Sequence, residues 1–138
     1  MTRLLLRCLL ICCLAVLAGC PKSASKGTAL EEIQYAYSAA IRWGDFEGAW
    51  NLVDPEVRKE RPLTDIDFSR YKQVQISGYR DQGGTVSPSG EVMRDIEIGV
   101  INRNTLAERT VRYRERWRYD EAAKSWWLVS GLPDLWAD

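Results

Sequence analysis

Two charged residues carry most of the chemistry this sequence offers. Arg94 and Glu115 stand in stretches where apolar residues recur at every second position: Val92, Ile96, Ile98 and Val100 in the first, Val111, Tyr113, Trp117 and Tyr119 in the second. A period of two is that of a β-strand with one buried face, so both charges fall on the apolar side. A buried charge needs a partner, and these two can supply each other. Three outcomes are open: a satisfied ion pair inside the fold, the polar lining of a ligand pocket shared with Tyr113 and Trp117, or an acid–base role for Glu115. Arg94 opposes the third, since a neighbouring cation lowers a carboxyl pKa where acid catalysis needs it raised. The rest of the chain is poor in reactive groups. With no His, it lacks the commonest general base and metal ligand. The sequence contains no phosphate-binding loop, dinucleotide fingerprint, nucleophile elbow or EF-hand loop. Asp65-Ile66-Asp67 fits a turn or helix cap better than a metal site. All four Cys (Cys8, Cys12, Cys13 and Cys20) lie in the first 20 residues. A domain that follows them has neither an internal disulfide nor a Cys-based metal centre. No metal or cofactor is expected.

The strands that hold the pair also set its geometry. Inward residues are even-numbered over 91–101 and odd-numbered over 107–119, so residues opposed in an antiparallel hairpin have numbers with an odd sum. A sum of 209 leaves a four-residue turn, a common hairpin length. It sets Arg94 opposite Glu115 on the inner face. On the outer face it sets Glu91 opposite Arg118, Asp95 opposite Arg114 and Glu97 opposite Arg112, and opposed charges favour that register. Each such exposed pair contributes only about 0–1 kcal/mol. The row Arg112, Arg114, Arg116 and Arg118 reads as a solvated outer face, or as one that binds an anion or a partner.

The elements ahead of the hairpin are helical. Thr28-Ala29-Leu30-Glu31 has the capping-box pattern, and Leu30, Ile33, Tyr37, Ala40 and Ile41 follow at helical spacing. Gly44 is the expected stop and Asp45 the cap of a second helix, with Phe46, Ala49, Trp50 and Val53 as its apolar stripe. Asp54-Pro55 interrupts that stripe and can restart a short third helix. After Pro62 the period changes to two. Residues 71–79 read as a strand with Val74 and Ile76 on one face, residues 81–90 as turn-rich and irregular, and residues 125–130 as the last strand. Trp43, Trp50, Trp117 and Trp127 fall on faces assigned to the core. Trp126 and Leu128 fall on the opposite face, where Trp126 stacks on Arg stems or marks a dimer or partner surface. The segment Leu132-Pro133-Asp134-Leu135-Trp136 either packs back on the domain or docks to a partner. Helices followed by a run of antiparallel strands give an α+β fold in two layers, with the N-terminal helices packed on a curved sheet of about four strands.

With 138 residues the chain holds one small domain at most. Its 19 Lys+Arg balance 19 Asp+Glu, which argues against a nucleic-acid binder.

The first twenty residues have another character. Arg3 and Arg7 precede an unbroken apolar run of eleven residues, 8–18, and the polar stretch 21–27 follows. A charged start, a short apolar centre and small residues ahead of the cut make a secretory signal. Eleven residues of helix reach about 16 Å, too short for a hydrocarbon core of about 30 Å. Leu17-Ala18-Gly19-Cys20 resembles the lipobox of bacterial lipoproteins. That resemblance implies cleavage before Cys20, acylation of its thiol and then of its amine, and firm attachment to a membrane by several chains. It gives residues 1–19 as signal peptide, 20–27 as the lipidated Cys and a flexible tether, and 28–138 as one domain. Removing residues 1–19 takes away two basic residues and leaves 17 Lys+Arg against 19 Asp+Glu, net −2. The expected location is the periplasmic side of the cell envelope, with the outer membrane favoured over the inner.

A second resemblance covers roughly residues 29–130. A helix, the step Gly44-Asp45-Phe46-Glu47-Gly48-Ala49-Trp50, a Pro-broken second helix and strands ending in Trp117-Arg118-Tyr119-Asp120 and Lys124-Ser125-Trp126-Trp127-Leu128-Val129 resemble the nuclear transport factor 2-like superfamily. It implies a curved sheet wrapped around helices as a cone with a pocket at its open end, and no particular activity, because that fold hosts many. The favoured expectation is a non-enzymatic module that binds an envelope protein or a small ligand, with Arg94, Glu115, Tyr113 and Trp117 as candidate lining. The alternatives are an assembly protein that dimerises through the outer sheet face, and a small enzyme with an Arg94/Glu115 pocket.

Overall fold

The computed structural model describes residues 25–136. Residues 1–24, with Cys20 and most of the expected tether, lie outside the described residues, as do the last two. Among the described residues four helices come first: α1 (Lys26–Trp43), α2 (Phe46–Trp50), α3 (Pro55–Glu60) and α4 (Asp65–Tyr71). Four strands follow: β1 (Val74–Val86), β2 (Val92–Asn102), β3 (Glu108–Asp120) and β4 (Ser125–Leu128). They form one antiparallel sheet in chain order, β1-β2-β3-β4. The fold is α+β, with the helices N-terminal to a four-stranded antiparallel sheet.

Short polar residues start and stop the helices. The Ser25 hydroxyl accepts the Thr28 N–H at 3.2 Å, so α1 begins two residues ahead of the expected Thr28 and takes in the end of the tether. The Thr28–Glu31 box is therefore not the cap. A capping box forms instead at α4, where Thr64 and Asp67 exchange hydrogen bonds. The helix was not among the expected elements, but Asp65-Ile66-Asp67 falls at a helix cap, one of its two expected settings, with both acids in the first turn, where the positive end of the helix dipole favours them. Tyr71 consequently closes a helix rather than opening a strand. Gly44 ends α1 at φ +74°, a backbone geometry costly for other residues. Asp45 caps α2 as expected, accepting the Gly48 N–H at 2.8 Å, and Asp54, expected only as part of the break before the third helix, caps α3 by accepting the Glu56 N–H at 2.9 Å.

In the sheet, the β2–β3 register is the expected one: Arg94 faces Glu115, Asp95 faces Arg114 and Glu97 faces Arg112. β1 differs from expectation. It is one 13-residue strand, continuous through the turn-rich stretch, and it absorbs extra residues as irregularities between Ile76 and Gly78 and between Asp81 and Gly84. The first leaves Ser77 without a pairing residue. Alternation from Val74 and Ile76 would point Tyr79 outward; the shift turns it inward, where it is 6% exposed.

β4 also corrects the sequence reading. Leu128 pairs with Trp117 and Trp126 with Tyr119, so Leu128 and Trp126 share the inner face and are buried. Trp127 is on the other face, half-buried and opposite Arg118. A dimer surface built on Trp126 and Leu128 is thereby lost. Trp43 is likewise not core: it is 87% exposed. It lies two residues beyond buried Ile41, about 200° further around the helix.

The core lies between α1, α2 and the inner sheet face. Tyr37 and Ile41 of α1 and Ala49 of α2 meet Ile96, Ile98, Val111, Trp117 and Leu128. Tyr37 meets Trp117 edge-on at 5.7 Å. The C-terminal segment packs back on the domain. Leu135 has no exposed surface, the Tyr71 hydroxyl donates to Pro133 O at 2.9 Å, and the Trp136 ring lies against Tyr71 and Arg70. The outer edge of β4 is covered by the chain between α2 and α3. Leu128 N–H donates to Leu52 O at 3.1 Å and Asp54 N–H to Leu128 O at 2.9 Å. Among the described residues, no such strand lies beside the outer edge of β1.

Candidate functional site

Arg94 and Glu115 meet as a bidentate pair on the inner sheet face. Arg94 Nε donates to Glu115 Oε2 at 3.0 Å and Nη2 to Oε1 at 3.1 Å. Two further donors converge on the same carboxylate. Trp117 Nε1, two residues along β3, donates to Oε2 at 2.7 Å, and the Tyr79 hydroxyl donates to Oε1. An ionised carboxylate offers about four lone-pair positions, and here four are taken. Glu115 has no exposed surface, whereas the Arg94 side chain keeps 18% and reaches out to Asp81 at 3.3 Å. Arg94 thus links a sealed carboxylate to an exposed one.

This arrangement decides among the expectations for the pair. Glu115 and Trp117, expected as lining of an open pocket, are both fully enclosed. Substrate or ligand has no route to either, and Glu115 has no lone pair left to take a proton from one. Tyr113, half-buried, is the centre of a second cluster. Its hydroxyl donates to Gly131 O at 2.6 Å and lies 3.2 Å from the Tyr37 hydroxyl and 3.1 Å from Ser130 Oγ. It ties α1, β3 and the C-terminal segment together. Burial, then the Glu115 charge, pushes the Tyr79 hydroxyl far above its ordinary range, so Tyr79 stays a donor.

Three participants were missed from sequence: Tyr79, Asp81 and Asp54. Tyr79 depends on the Ser77 irregularity, for which Gly78 inside a strand pattern was the available signal. Asp81 sits beside the second irregularity, in a stretch read as turns.

The outer face departs further from the hairpin picture. Of the three expected cross-strand pairs only Asp95–Arg114 forms, bidentate at 2.6 and 3.2 Å. That bond holds the Asp95 carboxyl below its usual range. Glu97 pairs with Arg80 of β1 at 3.0 Å, because β1 offers it a partner that a two-stranded view lacks. Arg118 pairs with Asp54 and Glu91 approaches Arg116 at 4.0 Å. Burial raises the Asp54 carboxyl pKa, but hydrogen bonds from Arg118 and the Glu56 N–H outweigh it and leave Asp54 below the usual range. Beside these strands lies an open concavity of about 610 Å³, bordered by Gln82, Asp95, Ile96, Glu97, Arg112, Tyr113 and Arg114, so that of the four expected lining residues Tyr113 alone borders it. Among the described residues no group of three or more acidic or Cys side chains is arranged to hold a metal ion.

No family model matches the chain, and no curated protein matches it in sequence. Among solved structures it is similar to a SEC-C motif containing protein from Psychrobacter arcticus, with a TM-score of 0.57 and 10% identity. The match covers 85% of this chain and 66% of that one. At this identity the likeness is one of fold.

Proposed function

We propose that this chain is a lipid-anchored protein of the bacterial cell envelope, held at Cys20 and facing the periplasm, whose domain binds another protein and performs no catalysis. The lipobox-like Leu17-Ala18-Gly19-Cys20 behind a short apolar run supports the anchor. Helices ahead of a four-stranded antiparallel sheet fit a nuclear transport factor 2-like cone; in this reading the cone is filled rather than open. The observation that carries the binding role is the state of Glu115. It is the best-placed candidate for acid–base work, yet it has no exposed surface and accepts four hydrogen bonds. With the interior closed, recognition belongs to the outside of the molecule, where a protein partner fits better than a small ligand.

Native mass spectrometry on the chain extracted from its own membranes in mild detergent tests this. The expected mass is that of the polypeptide from Cys20 plus its acyl groups. A small molecule retained in stoichiometric amount would overturn the protein-partner reading, and an unacylated mass would overturn the anchor.

A further inference from the structure

The sheet treats its two edges differently. The outer edge of β4 is closed by Leu52–Asp54, but that of β1 opens onto a groove. Two adjoining concavities of about 340 and 670 Å³, which share Arg42, Trp43 and Ile76, run between α1 and the stretch 74–80 of β1. Trp43 and Tyr35, which stand 87% and 74% exposed, form the helical wall. Natural sheets protect an open edge with charge, irregularity or a covering segment. Here the irregularity at Ser77, the charge of Arg80 and the bonds from Arg42 and Arg103 to edge carbonyls protect the edge against pairing, while two large exposed aromatics flank the groove beside it.

The charged residues that line the groove are Arg42, Arg80 and Arg103, while two carboxylates at its rim are already engaged, Glu97 by Arg80 and Glu108 by the Ser77 hydroxyl. Arg42 and Arg103 have no carboxylate partner among the described residues; each gives one bond to the strand, Arg42 to Tyr79 O and Arg103 to Val74 O, both at 3.0 Å. A guanidinium has five N–H donors, so most remain for a ligand. Residues 74–80 extend for roughly 20 Å at strand rise, which suits an extended peptide of about six residues.

We infer that the groove beside β1 binds an extended acidic segment of a partner protein. The segment lies along residues 74–80, its carboxylates meet the remaining N–H groups of Arg42 and Arg103, whose bonds to Tyr79 O and Val74 O already close those edge carbonyls, and an apolar side chain lies on Trp43. A second copy of this chain is the poorer occupant, because a two-fold pairing of these edges sets the basic rims against each other. This rests on the protein-binding reading above and names its surface and partner chemistry.

The test is hydrogen exchange read by mass spectrometry on the full chain in mild detergent, with and without a peptide alternating glutamate and valine. The expected result is exchange slowed roughly tenfold or more over 74–80 with the glutamate peptide and unchanged with a peptide carrying lysine in its place. Trp43→Ser and Arg103→Ser, both at exposed side chains, should each weaken the peptide by roughly tenfold while leaving exchange elsewhere unaltered. No protection over 74–80, or equal protection by the lysine peptide, overturns the proposal. So does protection that rises with protein concentration alone, which indicates a second copy, and protection by phosphatidylglycerol vesicles but not by peptide, which indicates a membrane surface. Acylation and the bare mass are read in a separate experiment, so the anchored protein-binding reading can stand when this one fails.

Discussion

Glu115 is a charge placed where charges are expensive, and its environment shows how the expense is met. Removing a charge from water costs several kcal/mol, and only good geometry with every lone pair used offsets it. Arg94, Tyr79 and Trp117 supply that geometry from three positions on two further strands and its own. The cluster is therefore a structural centre, and its loss should be read in stability. Glu115→Gln replaces two acceptor oxygens by one and leaves the exposed Asp81 as the counter-charge of Arg94; chemical denaturation should show a loss of roughly 3 kcal/mol. A variant as stable as the parent would contradict the account. Other carboxylates set the acid limit of the fold. Hydrogen bonds lower the Asp67 and Asp95 carboxyls, and at Asp54 they outweigh the effect of burial. Their folded values lie below the ordinary 3.8, so their contribution is complete above that value and is lost as pH falls through the lower folded values. Stability should be flat between about pH 7 and 5 and fall steeply below about pH 4. A decline beginning near neutrality would mean that another group governs it.

At the scale of elements, periodicity revealed most of what local rules control. The β2–β3 register followed from parity and charge, and it brought Arg94 to Glu115 as the inner-face pattern required. The cap Asp45 and the stop at Gly44 followed from residue type, as did the break at Asp54-Pro55. What escaped were features set by a third strand or a one-residue shift. Glu97 found Arg80 on β1, outside any hairpin argument. The irregularity at Ser77 reversed the face of Tyr79, and the turn before β4 reversed the faces of Trp126 and Trp127. The α4 helix is seven residues long, too short for a clear helical period, and only Thr64 and Asp67 announced it. β1 offers a direct test of its second irregularity. A Cβ at Gly84 would sit 2.2 Å from the Met93 carbonyl oxygen, a backbone atom that cannot step aside. Gly84→Ala should cost roughly 1–3 kcal/mol in thermal or chemical unfolding. A neutral effect would mean that β1 and β2 separate there without penalty.

For the whole molecule, we propose an address followed by a closed domain. The interior is sealed by α1, the sheet and the returning C-terminal segment, so the surface is left for recognition. That segment buries Leu135 completely and holds Tyr71 through Pro133 O. Truncation after Ser130 should lower stability by about 3 kcal/mol or more, the burial of Leu135 alone accounting for roughly 2; an unchanged unfolding midpoint would show the segment to be an ornament of the fold. The central claim is that Cys20 ties this domain to a membrane, and the most direct measurement compares membrane fractions of cells producing the parent chain and Cys20→Ser. The account predicts the parent in the membrane pellet, released by detergent and not by salt, and the variant either soluble in the envelope or retained as the uncleaved precursor. A Cys20→Ser chain that is still processed and still found in the membrane with the parent would contradict it.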